Sequence, residues 1–275
     1  MKQQVAVITG AASGIGFALA NACVLRHMHV VMVDCAIDAL QQASEKLSQL
    51  SHSQVLSVVC DVTQRDDVCR VAQQTYDQFN RVDLLINNAG VNGSLVPLWE
   101  MPVSQIRNVM DVNLFGVLNG IHVFLPLMFK QESRGHIVNM ASVYGLCSGS
   151  LVGAYAMSKH AIVALSESLY FDLKRLKKPV DISVVCPSFV NTPLLANSNV
   201  SPEDALYQKM QDLIERGRSP EEVADHILRE VGHRQFYILP DKEVKDYCEK
   251  RVQGIIDQIA PAEHSLEKIM AWIAS

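Results

Sequence analysis

The chain has 275 residues, 49% apolar and 19% charged, with a net charge of -5. That length suits one large α/β domain rather than two full ones, and the apolar share excludes a disordered chain. The densest basic run, "KRLKK" at 174–178, suits the solvated end of a helix, so no nucleic-acid partner is expected.

Short β-branched runs recur at 5–9, 29–33, 55–60, 83–87, 136–140, 181–186 and 236–239. They are near-continuous in apolar character, which predicts strands buried on both faces. Helical stretches over 14–26, 37–50, 65–80, 104–130 and 153–177 separate most of them, with Pro126 placed to kink the fourth near its end. The fold class is therefore α/β, a doubly wound parallel sheet of about seven strands with helices on both faces. No repeat or linker divides the chain, so residues 1–275 are expected to form one domain of dinucleotide-binding type. Its last part, from about 190 to 275, is a substrate loop followed by helices. Two helix starts are predicted there, at Ser201-Pro202-Glu203-Asp204 and Ser219-Pro220-Glu221-Glu222.

The first run leads into "VAVITGAASGIG", a strand, a glycine turn and a helix. Gly10 permits the tight turn, Gly14 lets backbone approach a pyrophosphate, and Gly16 allows close helix–strand packing. Free N–H groups at the helix start, Ser13-Gly14-Ile15, favour the anion. A glycine-rich turn without a ligand would read the same way. Asp34 ends the second run 18 residues after Gly16. Its carboxylate can bond an adenosine ribose diol and would repel a 2′-phosphate, and no Arg or Lys stands at Ser13 or Cys35. NAD is the expected cofactor ahead of NADP; an ordinary strand-end turn residue is the alternative. Asp61, in "CDV" with Val62, ends the third run and can bond an adenine amino group.

Tyr155 precedes Lys159 by four residues, which puts them on one helix face. Tyr170 and Lys174 repeat that spacing, so the pair alone does not decide. Seven cysteines (23, 35, 60, 69, 147, 186, 248) include no C-x-x-C, and they read as buried free thiols in a reducing cytoplasm. The nine histidines show no ligand spacing, so no metal site is expected. The chain start lacks signal-peptide features, and no uncharged apolar run is expected to reach membrane-spanning length. The expected setting is cytoplasmic, with no membrane partner.

Four segments, Thr9-Gly10-x-x-x-Gly14-Ile15-Gly16, Asn87-Asn88-Ala89-Gly90, Ser142 with Tyr155-x-x-x-Lys159, and "CPSFVNTP" at 186–193, resemble the short-chain dehydrogenase/reductase family in its single-domain form. Asn113, in "DVNLFG", is a fifth match, and the resemblance covers about residues 4–193. It implies a nicotinamide-dependent oxidoreductase acting on an alcohol or carbonyl. Ser142 stands 13 residues before Tyr155, whereas Met157 stands 13 before Tyr170, so Tyr155 is the functional candidate. It would be the general acid/base, with Lys159 lowering its pKa and holding the nicotinamide ribose. Ser142 would bond the substrate oxygen, and Asn113 would hold a relay water or else bond backbone within its helix. Gly153 and Ala154 would keep the approach to Tyr155 open.

The resemblance also implies that Asn88, Ala89 and Gly90 flank the cofactor and that Pro187, Val190 and Thr192 surround the nicotinamide carboxamide. Ser188 departs from the family's glycine and puts the pocket shape in question. Tyr144 is read as a pocket wall. The other candidate walls, Val91, Leu95, Val96, Leu146, Leu151, Leu194 and Leu195, are apolar, which points to a hydrophobic secondary alcohol or its ketone. Residues 190–215 would form a lid. Homodimers or homotetramers through the fourth and fifth helices are implied. Two other readings compete. A catalytically silent NAD-binding sensor would not need Ser142, Tyr155 and Lys159 together. A sugar-nucleotide epimerase is disfavoured by the glycine spacing and the short chain, and an enoyl reductase by Ala154 and Ala161 around Met157.

Overall fold

Strand side chains alternate between faces, so a strand that is apolar at every position must be covered on both sides. The computed structural model describes residues 3–50, 53–197, 203, 205–261, 263 and 265–274. Among the described residues seven parallel strands form one sheet in the order β3-β2-β1-β4-β5-β6-β7. The strands are β1 (Val5–Thr9), β2 (His29–Asp34), β3 (Val55–Val59), β4 (Leu84–Asn87), β5 (Gly135–Met140), β6 (Val180–Val185) and β7 (Tyr237–Ile238). The predicted runs lie within two residues of these. β1 lies in the middle, with Val7 opposite Val31 on one side and Leu85 on the other.

The alternation separates two cores. Ala6, Ile8, Val30 and Met32 pack with Leu19 of α1 (Gly14–Leu25), Leu40 of α2 (Ile37–Ser48) and Ile227 of α8 (Pro220–Gly232). Val5, Val7, Val31 and Val33 face the other way, toward Val71 of α3 (Arg65–Phe79), Phe124 of α5 (Gly116–Met128) and Ile162 of α6 (Gly153–Arg175). The remaining helices are α4 (Val103–Met110), α7 (Ala205–Glu215), α9 (Glu243–Ile256) and α10 (Ser265–Ala274). Ser219 caps α8 as predicted, its hydroxyl accepting from the Glu222 N–H at 3.2 Å with Pro220 at the first helical position. The start expected at Ser201 falls mostly outside the described residues.

The helix expected over 104–130 is not uniform. A π-helical turn, Asp111–Phe115, separates α4 from α5, and Pro126 lies in the last turn of α5. The extra residue of a π turn re-aims the side chains around it, and Asn113 lies in that turn. The rod Val103–Met128 is also long and apolar enough, by length and composition, to cross a membrane, with a mean hydropathy of 1.3, although it contains the charged Arg107 and Asp111. Half of that apolar window is buried inside the fold. Gly120 lets the rod settle: a Cβ there would collide with Asn87 Oδ1. Asn87 Nδ2 donates to Asn139 Oδ1 at 2.9 Å, and Asn139 Nδ2 donates to Ser166 Oγ at 3.0 Å, so this buried polar ladder is satisfied.

His136 on β5 is buried, with Nε2 2.7 Å from Ser183 Oγ. Ser183 gives its own proton to the Gln235 carbonyl at 2.6 Å, so the imidazole donates through Nε2. Burial lowers the His136 pKa to about 4; Arg234 and Arg134 act in the same sense and Asp181 opposes them. Between its ordinary value of 6.5 and about 4, the unfolded chain binds a proton that the folded chain refuses. Stability is thus full above pH 6.5 and falls on acidification toward 4, by on the order of 2–3 kcal/mol from this residue. Urea denaturation across that range checks it. His136→Gln should lose less stability on acidification than the parent by that amount, and equal losses would refute the assignment.

Candidate active site

Because every strand is parallel, the segments that follow β1 to β6 emerge at one edge of the sheet, and strand order reverses between β1 and β4. Such a switch point is where open α/β sheets bind ligands. Gly10, Ser13, Gly14, Ile15 and Gly16 follow β1; Asp34 ends β2; Asp61 and Val62 follow β3; Asn88, Ala89 and Gly90 follow β4; Ser142 follows β5; Pro187, Val190 and Thr192 follow β6.

The glycine turn has the conformation its sequence requires. Gly10 and Gly14 have φ of +65° and +53°, which glycine adopts without strain. A Cβ at Gly16 would collide with the Gly10 carbonyl oxygen, and one at Gly14 would lie 3.1 Å from the Thr192 methyl. Asn88 secures the loop, its Nδ2 donating to the Thr9 and Gly10 carbonyls at 2.9 and 3.1 Å. The Asn88 and Ala89 N–H groups both donate to Thr9 Oγ1, at 3.0 and 3.1 Å. Asn88 therefore works as a clamp on the loop, and its amide is already engaged. Ser13 starts α1 without a side-chain cap, and no acid lies in the first turn. The helix N–H groups thus face a glycine-lined cradle that fits a pyrophosphate.

Asp34 Oδ2 accepts from the Ala12 N–H and Oδ1 from the Ala36 N–H, each at 3.0 Å. Each oxygen keeps a further lone pair for a ribose diol. Asp61 is exposed and accepts from the N–H and hydroxyl of Thr63 at 2.9 and 2.8 Å. The Val62 side chain packs in the core against the position of Gly116, and Ile15 also packs against the core.

Ser142, Tyr155, Lys159 and Asn113 converge. Tyr155 is 9% exposed, Ser142 6%, Lys159 4% and Asn113 0%. Lys159 Nζ donates to the Met140 carbonyl at 2.9 Å and lies 5.5 Å from the centroid of the Tyr155 ring. Asn113 Oδ1 accepts from the Val91 N–H at 2.8 Å, while Nδ2 donates to the Val91 carbonyl and to Ser158 Oγ, each at 2.9 Å. A Cβ at Gly90 would lie 3.2 Å from Asn113 Oδ1 and 3.5 Å from Lys159 Nζ, so the Gly90 backbone packs closely against both buried groups. The repeated spacing repeats the geometry, with Lys174 Nζ 5.7 Å from the Tyr170 centroid, but that pair lies on an exposed helix face. Burial and Ser142 distinguish Tyr155.

The expected lowering of the phenol's pKa by the ammonium is not what this arrangement produces. Burial pushes the Tyr155 phenol up to about 12, and the Ser142 hydroxyl beside it pulls the other way. Burial lowers the Lys159 pKa to about 8. Nζ is bonded to the Met140 carbonyl, and desolvation is the largest influence on both groups. At neutral pH the phenol is a proton donor.

Gly153 does not keep the approach open either. A Cβ there would lie 3.0 Å from Leu98, and Ala154 is packed against Met101 and Val109. The cover over Tyr155 is apolar, combining Leu95, Leu195, Met210, Ile214 and Met270 with the predicted walls Leu146 and Leu151. Val91 and Val96 pack elsewhere, against Met101 and Val109. From the described part of residues 190–215, Leu195, Met210 and Ile214 belong to the same apolar cluster as Tyr155. The part played by α9 and α10 is not visible in the sequence, where Val244, Tyr247 and Met270 look like ordinary amphipathic positions.

Asp241 was also missed. This buried carboxylate accepts from the Ser188 N–H at 2.7 Å and lies 3.9 Å from Arg218, whose backbone bridges Val190. It anchors the loop after β6, and Ser188 takes glycine's place there without a left-handed φ. The Pro187 carbonyl accepts from the Val143 N–H at 2.8 Å, joining that loop to the turn of Ser142.

A sequence model described as short chain dehydrogenase matches residues 4–203. The chain is 32% identical to a CLA biosynthesis dehydrogenase/reductase of Lactiplantibacillus plantarum, covering 98% of this chain and 99% of that one. It is 33% identical to human 15-hydroxyprostaglandin dehydrogenase [NAD(+)] over 77% of each. A crystal structure of a short chain dehydrogenase/reductase from Burkholderia phymatum in complex with NAD superposes with a TM-score of 0.90 at 34% identity, covering 96% of this chain and 98% of the other.

Proposed function

The chain belongs to the short-chain dehydrogenase family, and from that premise we propose that it is an NAD-preferring oxidoreductase that interconverts a hydrophobic secondary alcohol and its ketone. The observation that carries this reading is the joint burial of Ser142, Tyr155 and Lys159 at the switch point of the sheet. A ligand-binding protein has no need of a hydroxyl pair backed by a buried lysine.

The turn of Gly10, Gly14 and Gly16 and the start of α1 would hold the pyrophosphate, and Asp34 the adenosine ribose. The loop of Pro187, Val190 and Thr192 would hold the carboxamide. The bound nicotinamide supplies the hydride acceptor or donor. Tyr155 gives its proton to the carbonyl oxygen in reduction and takes one from the hydroxyl in oxidation, while Ser142 bonds that same oxygen. Lys159, anchored on Met140, holds positive charge under the phenol and favours its anion once a substrate oxygen replaces part of the apolar cover. Asn113 fixes the Val91 backbone and Ser158 behind it. The apolar cover excludes water from the transfer.

The exposed Phe115, Met157 and Phe171 support self-association through the rod and α6, which sedentation of the purified protein by ultracentrifugation would read as a dimer or tetramer. Incubation with NAD and a panel of apolar and charged secondary alcohols tests the activity. NADH formation is expected with apolar members. NAD binding with no turnover in either direction would overturn the reading in favour of a sensor, and preference for small charged hydroxy acids would overturn the substrate class.

A further inference from the structure

Tyr144 lies two residues after Ser142, is 5% exposed, and its hydroxyl has no hydrogen-bond partner among the described residues. A buried hydroxyl without a partner destabilises the fold, and phenylalanine would fill the same space without that cost. Such a group calls for a reason outside the folded chain. Its surroundings supply one. The Tyr144 ring stands edge-on to the Tyr155 ring, with centroids 6.2 Å apart at 79°, so it adjoins the ring that handles the proton. It is held in place: its N–H donates to Ser142 Oγ at 3.3 Å, and a Cβ at Gly149 would lie 3.3 Å from its ring. Leu95, Val152, Leu195 and Met270 belong to the same apolar cluster. The nearby Glu267 carboxylate is engaged by the Ser150 N–H at 2.8 Å.

Resting on the dehydrogenase reading above, we infer that Tyr144 is a specificity-determining residue whose hydroxyl donates a hydrogen bond to a second, neutral oxygen of the substrate, a few bonds from the carbon that is oxidised. The substrate class is an apolar secondary alcohol carrying a further hydroxyl, carbonyl or ether oxygen. Burial raises the Tyr144 pKa far above the ordinary tyrosine range, so the group acts as a donor. The Glu267 charge acts in the same sense and disfavours an anionic substrate arm.

The test compares 2-octanol with the 2,4-, 2,5- and 2,6-octanediols, using NAD and both the parent protein and Tyr144→Phe. The parent should prefer at least one diol by about tenfold or more in kcat/KM, and Tyr144→Phe should lose that preference. The ratio cancels any general loss of activity, which a purely structural tyrosine would produce. The melting temperature of Tyr144→Phe without substrate should rise, since an unmet hydroxyl is removed. Equal rates with 2-octanol and every diol in the parent, or a preference that persists in the variant, would overturn the inference alone. A lowered melting temperature would also overturn it, by showing that the hydroxyl has a partner within the folded chain. Failure of the parent to oxidise any of the alcohols would remove the dehydrogenase reading and this inference with it.

Discussion

Replacing Tyr155 by phenylalanine is expected to lower turnover by about 10²–10⁴-fold, the usual worth of a positioned acid or base, while NAD still binds. The substitution removes one oxygen from a ring already held by burial, so the cover of Leu95, Leu195, Met210 and Met270 stays packed. The glycine turn and Asp34 lie on other elements and do not depend on the phenol. The pH profile gives a second readout. With the phenol at about 12 and Lys159 at about 8 in the free protein, Tyr155 is protonated at neutral pH. It is then ready to give a proton to a ketone but must lose one before accepting from an alcohol. Ketone reduction should therefore run at neutral pH, and alcohol oxidation should climb as pH rises. Tyr155→Phe should remove the climb along with the activity. Steady-state rates in both directions and an NAD titration of the variant check this. Retention of most turnover, or an unchanged oxidation profile, would reject Tyr155 as the acid/base.

The same residues show what a sequence can carry. β1 and β2 are legible because both of their faces are buried, so the apolar run is unbroken and needs no tertiary information. Tyr155 and Lys159 are legible because helix spacing puts them on one face and Ser142 stands 13 residues before Tyr155, where Met157 stands before Tyr170. Their protonation is not, because it depends on how much water the rest of the fold removes. The Tyr170–Lys174 pair has nearly the same ring-to-ammonium distance and lacks the burial. The π turn at Asp111–Phe115 leaves no local mark either. Asn113 reaches Val91 and Ser158 through tertiary contacts, from 22 and 45 positions away. Asp241 meets Ser188 across 53 positions, and Met270 meets the tyrosine pocket from the far end of the chain. A lone acid after a short strand and a methionine on a short helix carry no signal of such partners.

Asp34→Asn is expected to shift the ratio of NADP to NAD affinity by at least about tenfold toward NADP, or about 1.4 kcal/mol. The ratio matters more than either affinity. Asp34 also receives the Ala12 and Ala36 N–H groups, each at 3.0 Å, so it serves the phosphate loop with no cofactor involved. Loosening that loop would weaken both dinucleotides together, because both would place a pyrophosphate on it. Only the carboxylate's charge would distinguish them, since on the proposed reading it faces a ribose diol in one and a 2′-phosphate in the other. Two unit charges about 4 Å apart at an effective dielectric of about 20 repel by about 4 kcal/mol, so partial screening still leaves a tenfold effect. Asparagine keeps one acceptor oxygen for the loop and removes the charge. Calorimetric titration of parent and variant with both dinucleotides measures the ratio. A parallel loss of both affinities, with the ratio unmoved, would make Asp34 a loop anchor only. Because Ser13 and Cys35 offer no cation to replace the lost repulsion with attraction, the variant should become tolerant of NADP without coming to prefer it.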